Sequence, residues 1–351
     1  MPPSSLTDGY DALLSTTLRN VRGILEDEIS TSNSLLFYLM RKQEGGYESV
    51  SSLGERAQQP LMYEMGTADS YSGYDQLDTT PMDGITSAFF DWRQAAVPIA
   101  ISRLEERKNS GEHQILSLLK AKTQQALLGI QDFFGKALLR GAGGSAITTA
   151  YTSANNGAAF IDPLPLLVKY DPTSSTTIGN INQATYSWWQ NQFLADGSST
   201  YAGFLKNLRK LNNDCSKGPG GAPNLHVSDQ QTFEYYEAAL ADKHRNTSYS
   251  KADIPFDNIA FRGNPLTWDE FIPDAAGGSI TQSTASGTWY MLNTKFLKLK
   301  YDSQTNWITT PFQKPENQDA KVAHIMWYGA LTVSNRRKQG VISAIDTTPT
   351  S

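Results

Sequence analysis

The sequence contains a single cysteine, Cys215, in 351 residues, which excludes an intramolecular disulfide. A chain of this kind must be stabilised by packing or by assembly, and it tolerates a reducing compartment. Its start, "MPPSSLTDGYDALL", lacks the basic and then apolar pattern of a signal peptide, and no apolar run approaches the length of a membrane span. We therefore expect a protein that is made in the cytoplasm and has no membrane partner.

An excess of positive charge is also missing. The chain has 30 Lys and Arg against 35 Asp and Glu, a net charge of -5, so nothing suggests a dedicated nucleic-acid-binding surface. A local basic patch stays possible. Hydrophobic residues make up 39% of the chain and charged residues 19%, a somewhat polar composition that can still bury a core.

The residue patterns of an enzyme site are scarce. The glycine-rich stretches "GAGGSA" and "GPGGAP" lack the trailing Lys and Ser/Thr of a phosphate loop and the Rossmann spacing. Carboxylates are common, but no spacing singles out an acid–base pair. The histidines are dispersed along the chain, and one cysteine cannot build a thiolate zinc site: His113, His226, His244 and His324. We expect no catalytic residue, no cofactor and no metal site.

Helical periodicity is strongest over residues 110–140. Apolar residues recur there at steps of three and four, including Ile115, Leu119, Ala126 and Ile130, and Gly141 follows as a stop signal. At 1.5 Å per residue such a helix is about 45 Å long. This length favours a structural spine over an ordinary domain helix.

Residues 46–103 predict a long β-hairpin. Two strand-like runs, "GERAQQPLMYEMG" and "ITSAFFDWRQAAVPIAIS", flank a connector rich in Gly, Ser, Asp and Thr. A hairpin alone is marginally stable in water, so its edges and aromatic side chains require a partner surface. Residues 1–45 have the periodicity of short helices with little core of their own, which is typical of an arm.

The later segments carry turns, strands and unusual aromatic pairs. "FIDPLPLLVKYDP" predicts a short apolar strand, and Gly179 and Asn180 predict a turn ahead of the adjacent Trp188 and Trp189. Residues 195–285 alternate helix and strand signals, as in a compact α/β unit. In the last long strand, one face carries Ala323, Ile325, Trp327 and Gly329. The basic triplet in "NRRKQG" suits either a contact with phosphate or a strand end that forms salt bridges.

Several local motifs, in their order from residue 89 to residue 342, resemble the major capsid proteins of tailed bacteriophages, the Hong Kong 97-like shell fold. The stretches that carry the resemblance are "FFDWRQAAVPIAIS" with Glu105-Glu106, Ile178-Gly179-Asn180-Ile181 with Trp188-Trp189, Pro223-Asn224-Leu225 with Tyr235-Tyr236, "FRGNPLTWDE", "WYMLNTKFLKL" and "WYGALTVSNRRKQGVI". Where that family often has Gly-Gly-Ile-Asp-Arg, this chain has Gly-Asn-Ile-Asn-Gln at residues 179–183. The change puts any salt bridge there in doubt but keeps the turn.

The resemblance implies an α+β fold in five segments. They are an N-terminal arm (1–45), an extended β-hairpin loop (46–103), a peripheral domain with the spine helix 110–140 (104–194), an axial domain (195–285), and return strands of the peripheral domain with a C-terminal tail (286–351). Trp188 and Trp189 then lie where the peripheral domain meets the axial domain. We expect one ring to pack inward and the other to lie against the adjoining domain or subunit.

The resemblance also implies a function, the head shell of a virion assembled in the host cytoplasm. The partners would be copies of the chain in hexamers and pentamers, a separate scaffolding protein, a portal, a decoration protein, and packaged DNA in nonspecific contact. Some shells of this fold crosslink a loop lysine to an asparagine, but no lysine lies between Lys42 and Lys108, so we expect no such crosslinks. The candidates for contacts between subunits are aromatic and basic side chains: Phe89, Phe90, Trp92, Arg93, Trp188, Trp189, Arg336 and Arg337.

Two other interpretations stay open. The same fold could form a cellular nanocompartment that encloses protein cargo. A carbohydrate-binding protein or a hydrolase could use the exposed Trp and Tyr side chains as sugar platforms.

Overall fold

The computed structural model describes most of the chain, with ten described ranges: 34–40, 46–51, 54–66, 68, 70–76, 83–108, 112–139, 161–241, 258–272 and 287–346. The arm helix predicted before residue 34, the glycine-rich stretch 141–160 and the polar tail beyond residue 346 lie outside these ranges. The α-helices are Ser34–Met40, Arg103–Lys108, Glu112–Leu139, Leu164–Leu167, Tyr201–Ser216 and Gln230–Ala241. Short 3-10 turns span Ser187–Trp189 and Arg336–Lys338.

The strands are numbered here in chain order. The first seven are β1 Tyr47–Val50, β2 Ala57–Met62, β3 Ile85–Phe90, β4 Arg93–Ser102, β5 Thr177–Ile178, β6 Ile181–Asn182 and β7 Gln192–Ala195. The other eight are β8 Leu225–Ser228, β9 Asn258–Phe261, β10 Asn264–Trp268, β11 Gly287–Leu292, β12 Leu297–Asp302, β13 Ile308–Thr309, β14 Ala320–Val333 and β15 Gly340–Ile345.

A five-stranded sheet forms around the long strand β14. Its C-terminal half pairs with β12, which in turn pairs in parallel with β1, and its N-terminal half pairs with β4 and β13. Side chains on β14 alternate as predicted, since Ala323, Ile325 and Trp327 are buried while His324 and Met326 face solvent. The spine helix Glu112–Leu139 packs against this sheet through residues such as Ile130 and Phe134. The predicted helix 110–140 is thereby confirmed.

A six-stranded sheet has the order β7-β15-β11-β8-β10-β9. One face of it joins the core of the first sheet through Leu225, Val227 and Tyr290. The other face is covered by the helices Tyr201–Ser216 and Gln230–Ala241, with Phe204 and Trp289 at its centre. The second sheet is therefore buried on both sides, and it combines β8 to β10 from the predicted α/β unit 195–285 with β7, β11 and β15, which the sequence analysis places in the peripheral segments.

The extended hairpin is shorter than the sequence suggests. Strands β2 and β3 pair only with each other, whereas β4 runs antiparallel to β14 inside the five-stranded sheet. The apolar run 85–102 is interrupted at Asp91 and Trp92. The part after this break pairs with the distant strand β14 and does not continue the hairpin. The hairpin thus spans residues 57–90, and residues 93–102 belong to the sheet at its base.

Two further strand expectations are wrong. Strands β11 and β15 lie in the six-stranded sheet with β7 and β8, so among the described strands after residue 286 the first sheet takes β12, β13 and β14. The apolar run after Ile161 forms the short helix Leu164–Leu167, which has Pro165 in its first turn and is fully buried. A short apolar run of this kind has the same composition in a buried strand and in a buried helix, so periodicity does not separate the two.

Candidate inter-subunit contact site

The base of the hairpin rests on the turn between β5 and β6. Gly179 and Asn180 have φ of 61° and 66°, the left-handed pair that a two-residue hairpin turn requires. The carbonyl oxygen of Gly179 accepts a hydrogen bond from the Phe89 amide at 3.1 Å. A Cβ at Gly179 would lie 2.9 Å from that of Ala88. The glycine therefore lets the turn and the hairpin approach closely.

Trp188 and Trp189 lie next to this turn and face different surroundings. Trp189 is 1% exposed, and its Nε1 donates to the carbonyl oxygen of Ile178 at 3.0 Å. Trp188 is half-buried and stacks on Tyr63 of the hairpin with ring centres 5.0 Å apart. One ring thus packs inward and the other lies against the extended hairpin of the same chain.

Arg336 lies in the interior, where it joins three segments. Its guanidinium donates to the backbone oxygens of Leu167 and Trp189, each at 2.8 Å. It also donates to the amide oxygens of Gln183 and Asn191, each at 3.0 Å. Burial lowers the pKa of Arg336 to about 9. All four acceptors are neutral, so the site stabilises the cation with dipoles rather than with a carboxylate.

Lys338 is buried two residues further on, with 2% of its surface exposed. Its Nζ donates to four backbone oxygens, those of Ser216, Lys217, Gly218 and Gly221, at 3.0 to 3.3 Å. These carbonyls follow the C-terminal end of the helix Tyr201–Ser216, where a cation complements the helix dipole. Burial lowers the pKa of Lys338. The predicted alternatives for the basic triplet, phosphate or salt bridges, fail for Arg336 and Lys338, since both bind backbone and amide oxygens.

The other candidate residues divide by exposure. Phe90 is 3% exposed and belongs to the core, and Arg93 is buried beside Asp91 and Asp162 with N–O distances of 3.5 and 3.9 Å. Trp92 is half-buried and donates from Nε1 to the Gly54 carbonyl oxygen at 3.1 Å. In this conformation Phe90, Arg93, Trp189 and Arg336 are covered by their own chain. Phe89, Trp188 and Arg337 retain exposed surface, and their contact with a second copy stays a prediction.

Sequence reasoning missed two amides that organise this region. Gln183 donates from Nε2 to the carbonyl oxygens of Asp171 and Ser174, and Asn191 donates to that of Lys169. Both amides accept from Arg336 as well. Gln183 occupies the position where the resembling family has arginine, and as an acceptor it suits the buried cation. The sequence gives a signal for Asn191 alone, which lies among aromatic residues in "WWQNQF".

The hairpin exposes an apolar face. Met62 and Ile85 are paired across β2 and β3, with 74% and 69% of their surfaces exposed. Phe89 lies on the same face, because it is four residues from Ile85 along the strand. The residues toward the tip continue the pattern with large exposed side chains: Met65, Tyr71 and Tyr74. The opposite face, with Leu61, Ala88 and Phe90, is buried against the rest of the chain.

Other kinds of site receive no support from the described ranges. No group of three or more His, Cys, Asp or Glu side chains in them could hold a metal ion. None of the helices described is both long enough and apolar enough to cross a membrane.

The sequence itself matches no family model and no curated protein. The structure is similar to the cyanophage A-1(L) capsid asymmetric unit, with a TM-score of 0.63, 12% sequence identity, and coverage of 88% of this chain and 92% of that chain. The chain has the fold of a tailed-phage capsid protein. The capsid of the empty GTA particle is also similar, with a TM-score of 0.50, 8% identity, and coverage of 86% and 89%.

The comparison confirms the α+β, Hong Kong 97-like class that the motifs imply. At sequence identities of 12% and 8%, the similarity shows a shared fold but does not show that individual side-chain contacts are shared.

Proposed function

We propose that this protein is a major capsid protein, which assembles into hexamers and pentamers and encloses double-stranded DNA in the icosahedral head of a tailed bacteriophage. The observation that carries the proposal is the hairpin 57–90, which presents an uncovered apolar face on a chain with a capsid fold. The five-stranded sheet with the spine helix would form the peripheral domain, and the six-stranded sheet the axial domain.

The hairpin gives a physical reason for assembly. Its exposed cross-strand pair, Met62 and Ile85, gains free energy when it leaves water, at about 25 cal/mol per Å² of apolar surface. The hairpin of one copy can pack on a second copy, and the hairpin of the second can pack on a third. Such a heterologous contact, which joins two different surfaces, can close into rings and shells. Many weak contacts of this kind make a shell stable without any single strong interface.

The charge of the chain supports only weak contact with a genome. A net charge of -5 gives modest repulsion from DNA, so contact with the packaged molecule would be nonspecific. The proposal includes the partners of such a shell, namely a scaffolding protein, a portal and a decoration protein. Assembly would take place in the host cytoplasm, and the protein would act by association and not as an enzyme.

Electron microscopy of the purified full chain tests the proposal. We expect closed particles or ring-shaped capsomers, and native particles should contain nuclease-protected double-stranded DNA. A small monomer that never assembles would contradict the proposal and favour the carbohydrate-binding alternative. Particles that hold a protein cargo instead of a genome would favour the nanocompartment.

A matched pair of variants connects assembly to the hairpin. Met62→Glu adds one charge to the apolar face, and Ala202→Glu adds one charge to an exposed position of the helix Tyr201–Ser216. We expect Met62→Glu to leave the subunit folded but to reduce particle yield at least about tenfold, since a carboxylate resists burial. Ala202→Glu should assemble like the unchanged chain.

A further inference from the structure

A cavity of about 380 Å³ lies between the spine helix and the five-stranded sheet. Its volume falls in the range of pockets that hold a small ligand or a large side chain. Apolar side chains dominate its walls: Val97, Ile130, Phe133, Phe134, Trp307 and Ile325. The cavity is thus suited to an apolar group.

A glycine in the spine helix keeps part of this volume open. Gly129 lines the cavity, and a Cβ added there would meet no atom within 4 Å. Glycine is a poor helix former, so an interior glycine needs a reason. Gly135 of the same helix has one, because its Cβ would lie 2.2 Å from the Phe271 ring. Gly129 has no such neighbour among the described residues and is itself exposed, so its missing side chain leaves the edge of the cavity open to an occupant.

A buried donor in the wall lacks an acceptor. Trp307 is 3% exposed, and its indole Nε1 has no hydrogen-bond partner within the part of the chain that the structure describes. An unpaired buried N–H is costly, and native structures nearly always supply a partner. An occupant that carries an oxygen atom would therefore fit better than a purely aliphatic one.

The same chain carries a side chain of that chemistry on its hairpin. Tyr74 is 105% exposed, at a turn that Ser72 and Asp75 hold with two hydrogen bonds of 2.7 and 2.9 Å. We infer that the cavity receives Tyr74 of a second copy, whose ring fills the apolar volume while its phenol oxygen accepts from Trp307. Each copy offers one hairpin tip and one cavity, as a heterologous contact requires. The inference rests on the proposed shell function and names one contact within it.

Thiol crosslinking between two differently labelled chains tests the contact. One chain carries Gly73→Cys, which keeps the Tyr74 ring and has open space for its side chain, and the other carries Gly129→Cys; they are assembled together and treated with a short bifunctional maleimide. The native Cys215 gives little background, since it is buried and burial raises its pKa to about 12. We expect covalent dimers that contain one chain of each kind. A control that pairs Gly73→Cys with Lys210→Cys, an exposed position on the helix Tyr201–Ser216, should give few.

Three outcomes would overturn the inference. Assembled particles without mixed dimers would remove the contact but leave the shell function intact, whereas failure of the unchanged chain to assemble would remove the shell function itself. A crosslink within one chain that carries both Ser15→Cys and Gly129→Cys, in place of the mixed dimers, would assign the cavity to the chain's own N-terminal segment.

Filling the cavity gives an independent readout. Gly129→Leu should fold at least as well as the unchanged chain, because the site has open space and leucine favours helix. We expect its particle yield to fall about tenfold or more, as for loss of a central anchor residue. Tyr74→Phe, which keeps the ring and loses the oxygen, should reduce the yield less than Tyr74→Ala. Normal assembly of both Gly129→Leu and Tyr74→Ala would overturn the inference.

Discussion

The guanidinium carbon of Arg336 lies 5.7 Å from the ring centre of Trp189, and Nη1 of the same arginine donates to the carbonyl oxygen of Trp189 at 2.8 Å. A cation over an indole face gains a further electrostatic attraction. This pair fixes the short turn Arg336–Lys338 against the segment that supports the hairpin. The turn joins β14 of the first sheet to β15 of the second, so this cation holds the chain where it passes from one sheet to the other.

Replacing this cation should destabilise the subunit. Arg336→Met removes the donors of four hydrogen bonds and leaves four buried oxygens without that partner, which we expect to cost about 3 kcal/mol or more. The neighbouring Arg337 is exposed, so Arg337→Met should change the free energy of unfolding by less than about 0.5 kcal/mol. Urea denaturation of the unassembled subunits measures both values, and equal losses would contradict the assignment.

The buried His226 should make the second sheet sensitive to acid. Burial lowers its pKa from 6.5 to about 3, and its Nδ1 accepts from Trp289 Nε1 at 3.3 Å. Below about pH 6.5 the histidine is protonated in the unfolded chain but stays neutral in the folded chain. The contribution of His226 to the stability of the fold is therefore complete above that pH. It declines as the pH falls toward 3, by about 3 kcal/mol at pH 4.

Substitution isolates this effect from opposing groups. Asp269 acts in the other direction, because burial raises its pKa to about 6 and its contribution therefore improves as the pH falls from 6 toward 3.8. Unfolding of His226→Gln, compared with the unchanged chain from pH 7 to pH 4, should show a smaller loss with acid. His324→Gln, at an exposed position, should keep the pH profile of the unchanged chain.

Two glycines with similar backbone angles should respond differently to alanine. Gly197 has φ of 53° and open space around it, so Gly197→Ala should cost only the backbone strain, about 1 kcal/mol. Gly179→Ala adds a contact of 2.9 Å with Ala88, and we expect a loss of about 2–3 kcal/mol and a displaced hairpin. Thermal unfolding measures the difference. A larger effect at Gly197 would show that the hairpin does not rest on the turn.

Denaturing gels of assembled particles should show one band at the monomer mass of 38.6 kDa. No lysine lies between Lys42 and Lys108, so the extended hairpin has no amine to join to an asparagine of a neighbour. A ladder of covalent oligomers that survives heating in detergent and reductant would refute this expectation.

Local patterns predicted the local parts of this fold. The spine helix follows from apolar steps of three and four residues, and the turn at Gly179 and Asn180 from residues that tolerate positive φ. The alternation on β14 also agreed with burial, because one face of that strand packs against the core. In each case the determining interactions lie within a few residues of the chain.

Long-range pairing was out of reach from the sequence. Nothing near Arg93 indicates that β4 pairs with a strand more than two hundred positions later, and nothing near Lys338 indicates carbonyl partners around residue 217. The triplet Arg336–Lys338 has the appearance of a solvated basic surface, yet two of its three side chains are buried. Every residue has a backbone carbonyl oxygen, so residue types do not indicate which of these oxygens accepts from a buried cation.

The strand pairings also bear on how the chain folds as it is synthesised. Glu48 on β1 contacts Lys298 on β12, 250 residues later, and β7 pairs with β15, which ends at Ile345. Neither sheet is complete until almost the whole polypeptide has left the ribosome, which takes on the order of tens of seconds. During that interval the apolar strands that are made first have no strand to pair with. This topology therefore favours slow folding of the subunit and engagement by chaperones.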